Sequence, residues 1–262
     1  MTEYALITGA SNGIGLELAR IAASNNMNLI LLARNAEKMM QIRKELEELY
    51  PVKVLAVGCD LTDPEAVEKI TVLLQTRNIV PDILINNAGF GMYGPFDRIG
   101  NETESNMIQL NITSLTELTK VIYRQMRSKG KGKILNVSSI AGFMPGPWMA
   151  AYHATKAYVL SFSEALAVEA KGSGITVTAL CPGPTETNFE NRASAGAGIK
   201  VFKNFGKLPT AKQVAEYGWK SMMKGKTIAV HGRKFRLLIF LIRFLPRKMV
   251  ASIAGKIQAP GK

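Results

Sequence analysis

The stretch "YALITGASNGIGLELARIAASN", residues 4–25, consists of an apolar run, a glycine-rich segment and a helix-forming segment in immediate succession. Gly9, Gly13 and Gly15 fall between strand and helix, where the absence of side chains lets a phosphate group approach the backbone. The helix that follows offers unpaired N–H groups and the positive end of its dipole at the same point. The pattern therefore predicts a pyrophosphate-binding turn, although a tight turn without a ligand would use the same glycines.

Further apolar runs of strand length follow "YALIT" at 4–8, and helix-forming segments separate them. They are "NLILLA" at 28–33, "VKVLAV" at 52–57, "DILIN" at 82–86, "KILNVS" at 133–138, "ITVTAL" at 175–180 and "TIAV" at 227–230. Continuous rather than alternating apolar strands indicate a parallel sheet that is covered by helices on both faces. The sequence thus predicts an α/β fold, a doubly wound parallel sheet of about seven strands of the Rossmann type, in a single domain.

The formal net charge of +13 is concentrated in the last quarter of the 262-residue chain. Residues 197–262 hold 15 Lys or Arg and one acidic residue, Glu216, whereas the part before them has a net charge of −1. A uniformly basic nucleic-acid-binding protein would not normally separate its charge in this way. We therefore expect no nucleic-acid partner and seek the meaning of the charge in the C-terminal segment.

Cysteine usage and the N-terminal segment bear on the cellular compartment. Cys59 and Cys181 are the only cysteines, so neither a disulfide framework nor a metal-ligand set is indicated, and a reducing compartment fits. The start "MTEYALITGA" lacks the charged beginning and long apolar core of a signal peptide. No run reaches the ~18 apolar residues of a membrane span. We expect a cytoplasmic protein, with membrane association left open.

Three motifs occur in a characteristic order: "TGASNGIG" at 8–15, "NNAG" at 86–89 and "YHATK" at 152–156. On these motifs the chain resembles the short-chain dehydrogenase/reductase family, whose hallmarks are a Thr-Gly-x-x-x-Gly-x-Gly turn, an Asn-Asn-Ala-Gly stretch and a Tyr-x-x-x-Lys pair. The resemblance runs from the first strand to about residue 190 and is less specific beyond it. It implies a nicotinamide-dependent oxidoreductase that interconverts a carbonyl group and an alcohol.

The resemblance implies a division of labour within one domain and a catalytic set. Residues 1–190 would form the dinucleotide-binding core with the catalytic residues, and residues 191–262 a substrate loop with a basic amphipathic extension. The implied catalytic residues are Asn111, Ser139, Tyr152 and Lys156. Members of the family usually associate through the helices that bear the asparagine and the tyrosine, so a homodimer or homotetramer is expected.

Tyr152 and Lys156 lie at i and i+4 and would share one helix face. Free tyrosine titrates near pH 10, and a neighbouring cation lowers that pKa by favouring the phenolate. We expect Tyr152 to exchange a proton with the substrate oxygen, and the family resemblance implies that Lys156 also binds the nicotinamide ribose. Taken alone, the pair could equally be an exposed aromatic residue with a lysine packed over it.

Ser139 stands 13 residues before Tyr152, as in the family, and is expected to hydrogen-bond the substrate oxygen, with Ser138 as the alternative. By the same resemblance, Asn111 would distort its helix and expose a carbonyl group that holds a water near Lys156. The serines could instead only satisfy backbone groups at the strand end, and Asn111 could be an ordinary polar residue on a helix face.

The resemblance also implies which residues surround the dinucleotide. They are Gly9, Ser11, Asn12, Gly13, Ile14, Gly15, Arg34, Asp60, Leu61, Asn87, Ala88, Gly89, Tyr152, Lys156, Pro182, Gly183, Thr185 and Thr187. At the end of the second strand Ala33 stands where members that use NAD commonly have an aspartate, and Arg34 follows. An arginine can bind a 2′-phosphate through charge-assisted hydrogen bonds, so NADP(H) is favoured over NAD(H), with Ser11 as a second contact. Arg34 could instead form a surface ion pair with Glu37.

Alternatives also stand beside the other predicted cofactor contacts. Asp60 would bind the adenine amino group with Leu61 beside the ring, or would cap a helix beginning at Pro64, a role that we assign to Asp63. The stretch "NNAGF" at 86–90 would pass close to the adenosine ribose or be a simple glycine turn. The loop "CPGPTET" at 181–187 would wrap the carboxamide or be rigid because of its prolines.

The segment "GRKFRLLIFLIRFLPRKMVASIAGKI", 232–257, is both apolar and cationic, and Pro246 should kink or end a helix. It could line the substrate entrance, pack against another subunit or lie on an anionic membrane surface. An apolar entrance would suit a lipid-like or steroid-like substrate. The small residues of "NRASAGAGIK", 191–200, predict a mobile loop, and His153 and His231 are interpreted as structural.

Two functions remain open at this point. The first is NADPH-dependent, reversible reduction of a ketone or aldehyde to an alcohol, on an apolar small-molecule substrate. The second is a nucleotide-dependent scaffold without catalytic activity that makes peripheral membrane contact, since a fold alone does not determine function. The complete set of four catalytic residue types favours the enzyme.

Overall fold

The computed structural model describes residues 3–194 and 207–259, and within them seven strands form one sheet. The strands are β1 (Tyr4–Thr8), β2 (Asn28–Ala33), β3 (Val54–Gly58), β4 (Ile83–Asn86), β5 (Gly132–Val137), β6 (Ile175–Cys181) and β7 (Ile228–Val230). All neighbouring strands are parallel, in the order β3-β2-β1-β4-β5-β6-β7. Every predicted strand overlaps an observed one, which confirms the doubly wound fold.

Helices cover both faces of the sheet. They are α1 (Gly13–Ser24), α2 (Ala36–Leu49), α3 (Ala66–Thr76), α4 (Asn101–Ile108), α5 (Leu115–Lys129), α6 (Ala150–Glu169), α7 (Phe189–Ala193), α8 (Ala211–Met223), α9 (Arg233–Ile242) and α10 (Arg247–Gln258). Within β1, Ile7 packs with Leu18 of α1 and Leu6 packs on the opposite face with Ile122 of α5. Because both faces are buried, the strands are apolar without alternation.

The strand order reverses between β1 and β4, which are neighbours in the sheet although two strands separate them in the chain. At such a switch point the loops leave the carboxyl ends of the two strands in opposite directions and open a crevice. The turns that follow Thr8 and Asn86 border this crevice. The glycine turn and the "NNAG" motif therefore meet at one edge of the sheet.

Several element boundaries differ from the prediction for local reasons. β3 begins at Val54, because the Val52 N–H bonds to the Tyr50 carbonyl and the Val54 N–H bonds to the Glu47 carboxylate at 2.8 Å. The helix expected to begin at Pro64 begins at Ala66 instead. The Ala66 N–H bonds to the Asp63 carbonyl.

Two predictions concern the last third of the chain. Part of the loop predicted at 191–200 lies in α7, and residues 195–200 are outside the described ranges. Pro246 separates α9 from α10, as expected for a residue that ends a helix. In the ranges that are described, no helix combines the length and the apolar character needed to cross a membrane.

Candidate active site

The glycine turn after β1 leaves the start of α1 open. Gly9 and Gly13 have φ angles of +65° and +55°, a conformation that favours glycine, and a Cβ on Gly15 would collide with the carbonyl oxygen of Gly9. Asn12 occupies the N-cap of α1 but its side chain makes no capping bond, and the first turn holds no acidic residue. The helix N-terminus therefore keeps its affinity for an anion, which fits a phosphate group.

Thr8 and Asn87 join the turn after β1 to the turn after β4. The Thr8 hydroxyl accepts hydrogen bonds from the N–H groups of Asn87 and Ala88 at 3.0 and 2.9 Å. The Asn87 side-chain amide donates to the carbonyl oxygens of Thr8 and Gly9 at 3.0 and 3.1 Å. Both walls of the crevice are thus tied together. Thr8 was not among the predicted site residues, although it is the first residue of the glycine motif.

A cavity of about 960 Å³ opens at the carboxyl ends of the strands. Of the residues predicted to surround a dinucleotide, all but Gly15 line it, from the glycine turn and Arg34 to the loop that ends at Thr187. Ser138 and Ser139 line it as well. Gly15 lies behind the turn against the Gly9 backbone. One cavity therefore brings together residues that are more than 170 positions apart in the chain.

Tyr152 and Lys156 are buried side by side at the base of this cavity. Both lie on α6, and the Lys156 Nζ is 5.8 Å from the centre of the Tyr152 ring. The Lys156 ammonium group donates to the Val137 carbonyl at the end of β5 at 2.8 Å. Because both side chains are buried, the alternative of an exposed aromatic residue under a lysine is wrong.

Burial dominates the titration of the pair. It raises the pKa of Tyr152 to about 12, and the nearby Ser139 hydroxyl opposes the rise. It lowers the pKa of Lys156 to about 8. The prediction that the lysine lowers the pKa of the tyrosine is wrong, because loss of solvation disfavours both charged forms and raises the pKa of Tyr152. At neutral pH the tyrosine is therefore a protonated phenol that can donate a proton.

The two adjacent serines have different partners. Ser139 caps the 3₁₀ turn Ile140–Phe143, where its hydroxyl accepts from the Ala141 N–H at 3.1 Å and donates to the Pro182 carbonyl at 3.4 Å. Ser138 donates its hydroxyl proton to the backbone carbonyl of Lys156 at 2.8 Å. Both serines line the cavity, but only the Ser139 hydroxyl opposes the rise in the Tyr152 pKa, which favours Ser139 over Ser138 as the substrate contact.

Asn111 lies within a π-helical turn, Gln109–Ser114, that interrupts the helix between α4 and α5. Its side-chain amide donates to the Phe90 carbonyl at 2.9 Å and to the Thr155 hydroxyl at 3.0 Å, and its Oδ1 accepts from the Phe90 N–H. The predicted interruption is confirmed, and Asn111 is buried rather than partly exposed. Its side chain lies behind Gly89, so its role in a proton relay stays a prediction.

Arg34 is exposed at the rim of the cavity, and neither it nor Glu37 takes part in an ion pair among the described residues. The alternative of an Arg34–Glu37 pair is therefore wrong.

The two aspartates that follow β3 bond to neighbouring residues. Asp60 accepts from the Thr62 N–H and hydroxyl through one oxygen, at 3.0 and 2.9 Å. Asp63 accepts from the Glu65 N–H at 2.9 Å, but the N-cap of α3 is Glu65 and no side chain caps this helix, so the prediction that Asp63 caps it is wrong.

Apolar side chains next to Tyr152 form another part of the cavity wall, and the sequence did not identify most of these residues. Met144, Met149 and Phe189 line it, and the Phe189 ring centre is 5.3 Å from that of Tyr152. Leu238 of α9 and Ile257 of α10 complete the wall. Their only sequence signal was the prediction that the C-terminal segment lines the substrate entrance.

His153 also lines the cavity, next to the tyrosine. Its Nδ1 lies 2.9 Å from the Met144 carbonyl oxygen, and its Nε2 lies 3.2 Å from the side-chain nitrogen of Gln258 in α10. The Tyr93 hydroxyl donates to the Gln258 carbonyl at 2.5 Å. Burial lowers the pKa of His153. Its contacts hold α10 against the cavity rim, in line with a structural role.

A family model described as short chain dehydrogenase matches residues 3–198. A 17-beta-hydroxysteroid dehydrogenase type 3 from Mus musculus is 36% identical over 184 residues, which are 70% of this chain and 60% of the relative. A very-long-chain 3-oxoacyl-CoA reductase from Bos taurus is 32% identical over 184 residues, which are 69% of this chain and 58% of the relative. The match thus spans about three fifths of these curated relatives.

Among solved structures, a short-chain dehydrogenase from Sphingobium yanoikuyae in complex with NADPH superposes with a TM-score of 0.81. It is 30% identical, and the match covers 94% of this chain and 97% of that structure.

Proposed function

Because the chain belongs to the short-chain dehydrogenase family, we propose that it is an NADPH-dependent reductase that converts an apolar, lipid-like or steroid-like ketone or aldehyde into the alcohol, reversibly. The family acts on carbonyl and alcohol groups through a nicotinamide nucleotide. The observation that carries the proposal is the burial of Tyr152, Ser139 and Lys156 together in one cavity that apolar side chains also line. A proton donor, a hydrogen-bonding hydroxyl and a cation thus converge where a carbonyl group could bind.

The polar end of the cavity fits a dinucleotide. The uncapped N-terminus of α1 and the glycine turn would bind the pyrophosphate. Arg34, exposed and without an ionic partner among the described residues, would bind the 2′-phosphate of NADPH with Ser11. Asp60 would bind the adenine, and the loop at 181–187 would bind the carboxamide. The relative with bound NADPH supports this choice of nucleotide.

The chemistry of the protein groups follows from their protonation states. A bound reduced nicotinamide would supply the hydride to the carbonyl carbon. Tyr152, with a pKa of about 12, donates its proton to the carbonyl oxygen as negative charge develops there. Ser139 orients that oxygen through a hydrogen bond, and the Lys156 ammonium group stabilises the phenolate that remains. Asn111 would hold the water that returns a proton to the pair.

The apolar wall supports the proposed substrate class. Met144, Met149, Phe189, Leu238 and Ile257 would contact the non-reacting part of the substrate. Apolar side chains give binding in proportion to the apolar area that they remove from water. Two relatives are named for a hydroxysteroid and for a very-long-chain 3-oxoacyl-CoA, and each of these compounds has a large apolar part.

We also propose, from the family resemblance, that residues 1–190 carry nucleotide binding and catalysis and that residues 191–262 complete the substrate side.

From the same resemblance we propose that the chain assembles as a homodimer or homotetramer through α5 and α6. Tyr158 and Val168 of α6 are exposed and would lie in this interface. We propose that the protein is cytoplasmic. The reducing conditions of that compartment suit an enzyme that uses a reduced nicotinamide nucleotide and has free thiols such as that of Cys59.

Turnover of NADPH with a panel of ketones and aldehydes tests the function. We expect wild type to oxidise NADPH with apolar ketones and the Tyr152→Phe variant to lose about 10²- to 10⁴-fold in kcat. The Kd for NADPH should change much less than kcat, because the other residues that surround the dinucleotide are retained. Tyr158→Phe is the matched control, because Tyr158 lies on the same helix with its hydroxyl on Thr116 and outside the cavity.

Two results would contradict the proposal. Equal turnover by wild type and Tyr152→Phe would remove the tyrosine from the chemistry. NADPH binding without turnover of any compound in the panel would instead support the scaffold.

A further inference from the structure

Helices α9 and α10 form an unusually apolar part of the surface. Nine of the 17 large apolar side chains that are exposed within the described residues lie in this segment. We call them the C-terminal apolar surface: Leu237, Leu238, Phe240, Leu241, Phe244, Leu245, Met249, Ile253 and Ile257. The nine lie within positions 237–257, in α9, α10 and the turn between them, which are 21 of the 245 described residues, so the concentration of exposed apolar groups is local. Exposed apolar patches of this kind mark interaction sites.

Helix α9 is apolar on opposite faces. Ile239 is buried against Leu160 and Val230, and this face contributes to the core. On the outward face, Leu237 and Leu241 lie one helical turn apart and are 59% and 51% exposed. A helix that is in contact only with water on its outer side would carry polar residues there. The outer face of α9 therefore calls for an apolar partner.

Charge identifies the partner. Residues 233–258 contain seven Arg or Lys and no acidic residue, and all seven basic residues are exposed. A second copy of the chain, placed on this surface by two-fold symmetry, would bring two sets of seven cations together. A nucleic acid would complement the charge but would leave the apolar side chains without contacts. A bilayer with anionic headgroups complements both properties.

We propose that the C-terminal apolar surface docks on an anionic lipid bilayer. The apolar side chains would lie at the boundary between headgroups and acyl chains, with the Arg and Lys residues at headgroup level. The helices would lie along the interface, because α9 with 10 residues and α10 with 12 residues are shorter than the ~20 residues of a span.

The docked orientation would place the cavity beside the bilayer. Leu238 and Ile257 are 40% and 50% exposed in the C-terminal apolar surface, and both also line the cavity. The cavity mouth is therefore continuous with the surface that meets the lipid, so an apolar substrate could pass between them without crossing water. This access route depends on the proposed function, whereas docking itself does not.

Vesicle flotation of the full chain tests the docking. We expect wild type to float with vesicles of phosphatidylcholine and phosphatidylglycerol, and to bind pure phosphatidylcholine vesicles weakly. Replacement of Leu237, Leu241 and Phe244 together by serine should reduce the bound fraction at least about tenfold without a change in charge. The matched control replaces Met40, Leu49 and Val72 by serine. These are exposed apolar residues on α2 and α3, and this variant should bind vesicles as wild type does.

A second set of variants tests how much the basic residues contribute to vesicle binding. Arg236→Gln with Arg243→Gln should weaken binding to the anionic vesicles and leave the weak binding to pure phosphatidylcholine unchanged. Raised salt should have the same effect.

Three outcomes would overturn docking: no flotation of wild type, equal losses in the test and control triple variants, or a dimer in light scattering that the test triple variant dissociates. Tighter binding to duplex DNA than to anionic vesicles would also overturn it. None of these measurements requires turnover, so a protein that reduces no ketone could still dock. NADPH turnover of a water-soluble ketone should be equal in all triple variants.

Discussion

The hydroxyl of Ser138 donates to the backbone carbonyl of Lys156 at 2.8 Å, which ties the end of β5 to the middle of α6. The neighbouring Ser139 instead donates to the Pro182 carbonyl at 3.4 Å, and its hydroxyl opposes the rise in the Tyr152 pKa. We therefore assign Ser138 a structural role and Ser139 a chemical role. Their alanine variants should differ in whether stability or turnover is the more affected.

We expect Ser139→Ala to lower kcat by about 10²- to 10³-fold, because it removes a hydrogen-bond donor to the developing oxyanion. Ser138→Ala should lower the free energy of unfolding by about 1 kcal/mol, because the Lys156 carbonyl loses a buried partner, and should affect kcat less. Steady-state kinetics and urea unfolding of both variants check this. A larger loss of kcat in Ser138→Ala would reverse the two assignments.

The pH dependence of turnover should report the titration of Lys156. With a pKa of about 8, the lysine is cationic below this pH and neutral above it. As the pH rises through about 8, the site loses the charge that stabilises the phenolate, so kcat/KM for NADPH should fall.

This fall should be absent in Lys156→Met, which should also be about 10²-fold less active. Lys120→Met is the control, because Lys120 is exposed on α5 outside the cavity, and it should retain the fall. The same decline in Lys156→Met as in wild type would assign it to another group.

The glycine turn and the strands could be predicted because their signals are local. Gly9 and Gly13 adopt positive φ angles in a turn whose neighbours follow directly in the sequence. The apolar runs predict strands because each is buried on both faces. The relative positions of Tyr152 and Lys156 follow from helix geometry alone.

Features that depend on distant residues could not be predicted. The pKa of Tyr152 is high because the folded chain buries it, with Phe189 against its ring, and no pattern around position 152 indicates that burial. His153 meets Gln258, 105 residues further along, through a helix whose position the sequence left open. The start of β3 was missed because a carboxylate from the preceding helix bonds to the strand backbone.

Arg34→Ala should distinguish the two nicotinamide nucleotides. A charge-assisted hydrogen bond contributes about 1.5–3 kcal/mol, so loss of the contact to the 2′-phosphate should raise KM for NADPH about 10- to 100-fold. KM for NADH should change little, because NADH lacks this phosphate. Arg77→Ala, an exposed arginine at the end of α3 and outside the cavity, should leave both constants unchanged. Equal changes for NADPH and NADH in Arg34→Ala would contradict the assignment.

The two histidines of the chain should make the protein less stable as the pH falls through the ordinary histidine pKa. Burial lowers the pKa of both His153 and His231. Below their unfolded pKa of about 6.5 the unfolded chain therefore binds more protons than the folded chain. The free energy of unfolding should decrease with falling pH, by at most about 1.4 kcal/mol per pH unit for each histidine.

Replacing both histidines by glutamine should flatten this dependence, and His153→Gln alone should account for more of it, because His153 is the more deeply buried of the two. Urea unfolding from about one pH unit above to one below the histidine pKa is the measurement. Asp82 and Glu47 should not contribute in this window, because hydrogen bonds and cations hold their pKa values below the usual carboxylate range. If the double variant kept the wild-type slope, a group other than the histidines would have to titrate between the folded and unfolded states.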